Sequence, residues 1–213
     1  MIEGKSLHLD VVKLIYELSK EEHEKHIRDL NTYWVSDLVR CLLKKDYEVK
    51  YPELSLRDIF IPYYISGTLI HKGLQSILKE KFGERVETEV EGVKEVLLPD
   101  GGKVIVKGRV DAILFSEGVR VGLEIKTSRS DLNIPHEQHL EQVMIYNWLM
   151  DLHHSLLIYI TLDRVTQFSV LDKFSESEVA DIIVNAKYPR YSWECNYCVY
   201  AVMCPYKRAL GTK

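Results

Sequence analysis

Gly108-Arg109-Val110-Asp111 is followed thirteen residues later by Glu124-Ile125-Lys126. In a β-strand the side chains at i and i+2 share a face, so Glu124 and Lys126 project together while Val121, Leu123 and Ile125 point into the core. Asp111 falls on the preceding strand, and the turn signal Ser116-Glu117-Gly118 makes the two strands neighbours. Two carboxylates and an ammonium then converge. Oxygen ligands of this type suit hard divalent ions such as Mg²⁺ or Mn²⁺. A lysine beside them can orient a water and offset negative charge building on a phosphate. An isolated E-x-K is more often a salt bridge on an exposed strand; the G-x-x-D on the adjacent strand turns the balance toward a site.

Three further groups join this constellation. His71 lies at the edge of the apolar stripe of a helix over 66–82, facing the sheet, where its imidazole can reach the same ion. Gln142 and Tyr146 are four residues apart on a helix over 136–150 and share a face. An amide and a phenol there can bind a phosphate, orient the lysine, or form a half-buried polar edge. Cys195, Cys198 and Cys204 form a C-x2-C-x5-C run with Pro205 behind it, and Cys41 is the one other cysteine. A triplet and a distant single favour an iron-sulfur cluster over a zinc ribbon, which usually shows two close pairs, although zinc stays open.

The elements that must hold these residues are readable in outline. Charged helical periodicity marks 9–30 through Leu9, Val12, Ile15, Tyr16 and Ile27, and a second helix is expected over 36–45 with Cys41 on its second turn. Leu74, Ile77, Leu78 and Phe82 form the stripe of the next helix, which Gly83 stops. Alternation over 86–126, divided by Pro99-Asp100-Gly101-Gly102 and Ser116-Glu117-Gly118, predicts a three-stranded antiparallel meander. The 136–150 helix, strands at 155–161 and 165–171, and a helix from the capping box Ser175-Glu176-Ser177-Glu178 to about Lys187 complete the order. That order describes an α/β sandwich about one mixed sheet.

Composition sets the bounds. The chain has 213 residues, 46% hydrophobic and 28% charged, which excludes disordered, collagen-like and low-complexity classes. Four cysteines are too few for a disulfide scaffold. The start lacks the pattern of a signal peptide and no apolar run is long enough for a membrane span, so the expectation is a soluble cytoplasmic protein with no membrane partner. The net charge of −4 argues against coating nucleic acid by global charge. Locally the balance differs. Lys187, Arg190, Lys207, Arg208 and Lys213 oppose Glu194 alone in the last segment, interleaved with Tyr188, Tyr191, Trp193, Tyr197, Tyr200 and Tyr206. Those are the ingredients of single-strand binding, with several rings expected to shield a cluster instead. Lys103, Lys107, Arg109, Lys126 and Arg129 are expected to make a second basic group around the site.

A histidine on a helix, G-x-x-D, E-x-K and Q-x-x-x-Y, in that order across about residues 65–150, resemble the RecB-like branch of the PD-(D/E)XK nucleases. Val110 stands where many members carry proline, a departure common in this branch. The resemblance implies a restriction-endonuclease-like core in which His71, Asp111, Glu124 and the main-chain carbonyl of Ile125 bind Mg²⁺ or Mn²⁺. It implies that Lys126 is essential for hydrolysis and that Gln142 and Tyr146 support the substrate. An upstream cysteine joined to C-x2-C-x5-C resembles the iron-sulfur nucleases, namely the CRISPR-associated protein number four family, the nuclease of the AddAB complex and the eukaryotic replication helicase-nuclease. The short chain without a G-x-x-x-x-G-K-[ST] loop resembles the first. That family implies a 4Fe-4S rather than a 2Fe-2S cluster on Cys41, Cys195, Cys198 and Cys204. It also implies exonuclease action on single-stranded DNA or DNA ends before integration into CRISPR arrays, with CRISPR integrase proteins as partners. A stand-alone recombination or repair nuclease and a catalytically silent DNA-binding cluster protein are the alternatives, and a homo-oligomer stays open. The expected division is 1–64 helical with the first cysteine, 65–187 nuclease core and 188–213 cluster segment.

Overall fold

The computed structural model describes residues 9–24 and 29–208; Ile27 and Lys213, named above, lie outside the described residues. In chain order the elements are α1 (Val11–Glu24), β1 (Thr32–Trp34), α2 (Val35–Leu38), α3 (Leu42–Lys50), a 3-10 segment (Pro52–Phe60), α4 (Pro62–Phe82), β2 (Val86–Leu97), β3 (Lys103–Ser116) and β4 (Val119–Ser128), followed by α5 (Glu137–Leu149), β5 (His154–Thr161), β6 (Val165–Val170) and α6 (Glu176–Val184). The expected meander is present with its turns. Gly101 and Gly118 take φ of 85° and 81°, a conformation that glycine adopts without a Cβ penalty. The capping box closes as expected, with Glu178 N–H donating to the Ser175 hydroxyl and the Glu178 carboxylate accepting from Ser175 N–H.

Three local readings need correction. The helix expected over 36–45 is two helices, because the chain breaks after Leu38 and Cys41 becomes the N-cap of α3. α4 begins at Pro62, four residues early, since proline at the first helical position has the right φ and loses no bond there. Ile77 is 61% exposed and does not belong to the buried stripe. The inward line of α4 passes instead through Gly67, His71 and Gln75, four residues apart, a polar row that apolar periodicity does not reveal.

One mixed sheet organises the molecule. β2 runs antiparallel along one edge of β3 from Val86↔Leu114 to Leu97↔Lys103. The other edge of β3 is shared: β1 pairs in parallel at 105–107 and β4 pairs antiparallel at 112–116. β4 continues parallel to β5, and β5 pairs antiparallel with β6. Residues 108–111 therefore have no strand partner on that edge, and β3 and β4 fork apart at Asp111. The fork is where the chemistry-bearing residues meet.

α2, α5 and α6 close one face of the sheet over Val104, Val106, Val110 and Ile113, with Val35, Leu38, Tyr146, Leu149 and Val179 in the same cluster. The approach of α5 is close: a Cβ on Gly108 would lie 2.7 Å from side-chain atoms of both Tyr146 and Val35. Alanine there gains about 0.5–1 kcal/mol in chain entropy but must displace two buried side chains at about 1–3 kcal/mol. The clash dominates. Gly108→Ala is expected to lower the urea midpoint with an unchanged slope, and a wild-type midpoint would contradict the close contact.

Candidate active site

At the fork, Asp111 does what a strand carbonyl would otherwise do. Ile125 N–H, two residues past the last β3–β4 pair, donates to Asp111 Oδ2 at 2.6 Å. The other oxygen, Oδ1, accepts from His71 Nδ1 of α4 at 3.0 Å. Gln75, one turn on, donates from Nε2 to the Asp111 carbonyl at 3.0 Å and bonds Glu89. Burial opposes charge on His71, but the bonded Asp111 carboxylate outweighs it and raises the imidazole above its ordinary value.

Glu124 is 4% exposed. Its Oε1 accepts from Lys126 Nζ at 2.7 Å and from Gln142 Nε2 at 3.0 Å. Its Oε2 is buried without a hydrogen-bond partner. Burial, with Asp111 adding and Lys126 opposing, pushes its carboxyl up to about 7. A buried carboxylate oxygen left open is costly unless a cation meets it. Strand alternation predicts only Val121, Leu123 and Ile125 in the core, with Glu124 on the opposite face. All of 121–125 are buried, because β4 is a central strand with helices on both sides.

Lys126 Nζ also donates to Gln142 Oε1 at 2.7 Å. Gln142 Nε2 shares its second hydrogen with the Tyr146 hydroxyl, 3.2 Å away, and Tyr146 donates to the Arg109 carbonyl at 3.0 Å. Every polar group of Gln142 is thus engaged within the site, and the pair of residues on α5 ties Glu124 and Lys126 to β3. Of the uses open to an amide and a phenol, the one seen is orientation of the lysine. Burial, chiefly, keeps Tyr146 protonated.

The cysteines meet elsewhere. Cys41, Cys195, Cys198 and Cys204 line one 230 Å³ cavity walled by Tyr47, Trp193, Tyr197 and Tyr206, and none is in a disulfide. Burial lifts the Cys41 thiol to about 11, with Glu194 adding, while Leu43 and Lys44 N–H groups at the start of α3 pull the other way. Burial also raises Cys198. Protein contacts hold the two ends of this pocket together: Glu194 accepts from Cys41 N–H at 2.7 Å, and buried Tyr200 stacks on Tyr47 with ring centroids 5.5 Å apart. Among the described residues no group of three or more His, Cys, Asp or Glu side chains is placed to hold a metal ion. At the fork both Asp111 oxygens are engaged, Oδ1 by His71 and Oδ2 by Ile125 N–H.

No family model matches the chain. A CRISPR-associated exonuclease Cas4 from Saccharolobus solfataricus is 39% identical over 203 residues, covering 92% of this chain and 98% of that protein. The chain belongs to the Cas4 family. The crystal structure of SSO0001 superposes with a TM-score of 0.88 at 37% identity, covering 93% of this chain and 98% of that one. The Cas4 fold, a mixed sheet flanked by helices, is thereby the fold of this protein.

Two sequence expectations about surface charge change in this Cas4-family structure. The basic group around the site is largely neutralised: Arg109 is bound to Glu22 and Glu89, Lys103 to Glu95, Lys107 to Glu91 and Lys126 to Glu124. Arg129 lies over the Tyr63 ring. In the last segment Arg190 is paired with Glu141, and Tyr200 is fully buried. Trp193, Tyr197 and Tyr206 keep exposed rings, Tyr197 the most at 75%. Gln75 and Glu89 also stand beside Asp111, and the sequence signals Gln75 only through its i+4 spacing from His71. No helix among the described residues is long and apolar enough to cross a membrane.

Proposed function

We propose that this chain is a divalent-metal-dependent deoxyribonuclease that shortens single-stranded DNA from its ends, and that it trims DNA ends before their integration into CRISPR arrays beside integrase proteins. The observation that carries the reading is the buried, unpartnered Glu124 Oε2 beside Asp111 and Lys126. Asp111, Glu124 and the Ile125 carbonyl supply oxygen donors of the kind that Mg²⁺ or Mn²⁺ prefers, with His71 beside them and Glu124 Oε2 open. When bound, such an ion polarises the phosphate and lowers the pKa of a water. The residues of the chain supply the rest. Lys126, held at 2.7 Å by both Glu124 and Gln142, positions the attacking water or offsets charge on the phosphate as the bond breaks. Gln142 and Tyr146 fix that ammonium in place. Exposed Trp193, Tyr197 and Tyr206 offer faces for base stacking.

The same reading assigns an iron-sulfur cluster, 4Fe-4S in nuclearity, to Cys41, Cys195, Cys198 and Cys204. Four free thiols in one aromatic-walled pocket, with N–H groups aimed at Cys41, fit such a group. It also keeps the division into 1–64, 65–187 and 188–213 as its working boundaries. The test is digestion of end-labelled single and double strands with and without Mn²⁺. The expected result is stepwise shortening of the single strand with Mn²⁺ and none in chelator. Digestion that persists in chelator, or intact DNA with Mn²⁺, contradicts the proposal.

A further inference from the structure

Next to Lys126 stands a hydrogen-bonded group that the proposed chemistry does not use. Tyr159 of β5 is the register neighbour of Lys126 on β4, and its buried hydroxyl meets two partners from the start of α5. His136 N–H donates to it at 3.0 Å, and His139 Nδ1 lies 2.7 Å away. The phenol has one proton. His136 N–H already occupies the oxygen as an acceptor, and His139 Nδ1 is the other group bonded to the buried hydroxyl among the described residues. A buried donor without an acceptor is costly, so the proton goes to His139 Nδ1. The imidazole then carries its own proton on Nε2.

His139 is half-buried, and Nε2 has no protein partner among the described residues, yet is not sequestered from solvent. His139 precedes Gln142 by three residues and so shares its face of α5; Gln142 is the residue that holds Lys126. Across the sheet the order is Asp111 on β3, Glu124 and Lys126 on β4, then Tyr159 on β5, with His139 of α5 bonded to its hydroxyl. The site thus extends one strand beyond the lysine.

We infer that His139 is a substrate-binding residue whose Nε2–H, set by the Tyr159 hydroxyl, donates to a backbone phosphate of the DNA adjoining the phosphate that is cleaved. Tyr159 is then a positioning residue. In the free protein the ring is held neutral: burial first, then Lys126 and His136, hold its pKa down at about 3. A neutral donor adds direction without releasing a counterion, which separates it from a lysine or arginine contact.

This inference rests on the nuclease reading, and its test separates the two. Glutamine places its amide nitrogen near the position of Nε2, whereas asparagine places it near Nδ1. His139→Gln is expected to keep KM for single-stranded DNA within about threefold of wild type, while His139→Asn and His139→Ala raise KM about tenfold. All three should keep kcat within about twofold and leave the slope of log affinity against log salt unchanged. Tyr159→Phe should raise KM like His139→Asn. Unchanged KM in His139→Ala, or equal KM in the Gln and Asn variants, overturns the inference; if the Ala variant does not fold, the Gln and Asn pair decides. Wild-type protein that leaves DNA intact overturns the nuclease reading instead. Imidazole ¹⁵N chemical shifts then still test the geometry: Nε2–H is expected, and Nδ1–H overturns the assignment.

Discussion

Lys126→Ala is expected to reduce Mn²⁺-dependent digestion of single-stranded DNA by about 10²- to 10³-fold in kcat, the scale seen when a positioned transition-state donor is removed. The ammonium stands at the fork bonded to both Glu124 and Gln142, a fixed positive charge beside the carboxylates. Its removal also leaves Glu124 buried without a cation. A carboxyl already pushed up to about 7 with Lys126 present then stays protonated at neutral pH, which spares the fold an unpaired buried charge but weakens its grip on a metal. The measurement therefore belongs at saturating Mn²⁺, where loss of affinity does not pass for loss of chemistry. Circular dichroism should report an unchanged fold. Digestion at the wild-type rate would contradict the role given to the lysine.

Cys41→Ser is expected to yield colourless protein where the wild type is brown, and to lower stability by about 3–5 kcal/mol. Cys41 and Cys195 stand about 150 residues apart in the chain, and a link between them constrains a loop of that length in the unfolded state, where closure entropy is of this size. The fold itself should persist. Glu194 still accepts from the residue 41 N–H, Tyr200 still stacks on Tyr47, and Arg190 and Tyr191 still bind Glu141 on α5. Iron and acid-labile sulfide analysis with thermal melting checks both parts. Wild-type protein that is colourless with one equivalent of zinc, or a Cys41→Ser protein that stays brown, would contradict the cluster assignment.

What could be read from the sequence was local. The β2–β3–β4 meander announces itself through Gly101 and Gly118, which only a tight turn requires, and the E-x-K and Q-x-x-x-Y spacings convert directly into shared faces. β1 was invisible because three residues leave no alternation, and its pairing partners at 105–107 lie some seventy residues away. The fork was invisible for a related reason: it exists because β1 and β4 divide one edge of β3, a fact of topology rather than of period. From it follow the features that sequence pattern missed, the Asp111–Ile125 bond and the polar row of His71 and Gln75. Charge counting failed at Arg109, whose partner Glu22 comes from α1, 87 residues earlier. A count of basic residues says nothing about which carboxylates a fold brings beside them.

A divalent-metal site at the fork can be located by anomalous diffraction from Mn²⁺-soaked crystals, collected on both sides of the manganese edge. A manganese peak is expected within coordination distance of Glu124 Oε2 and Asp111, absent in Glu124→Gln. Active protein whose manganese lies elsewhere, or a peak that survives Glu124→Gln undiminished, would contradict it.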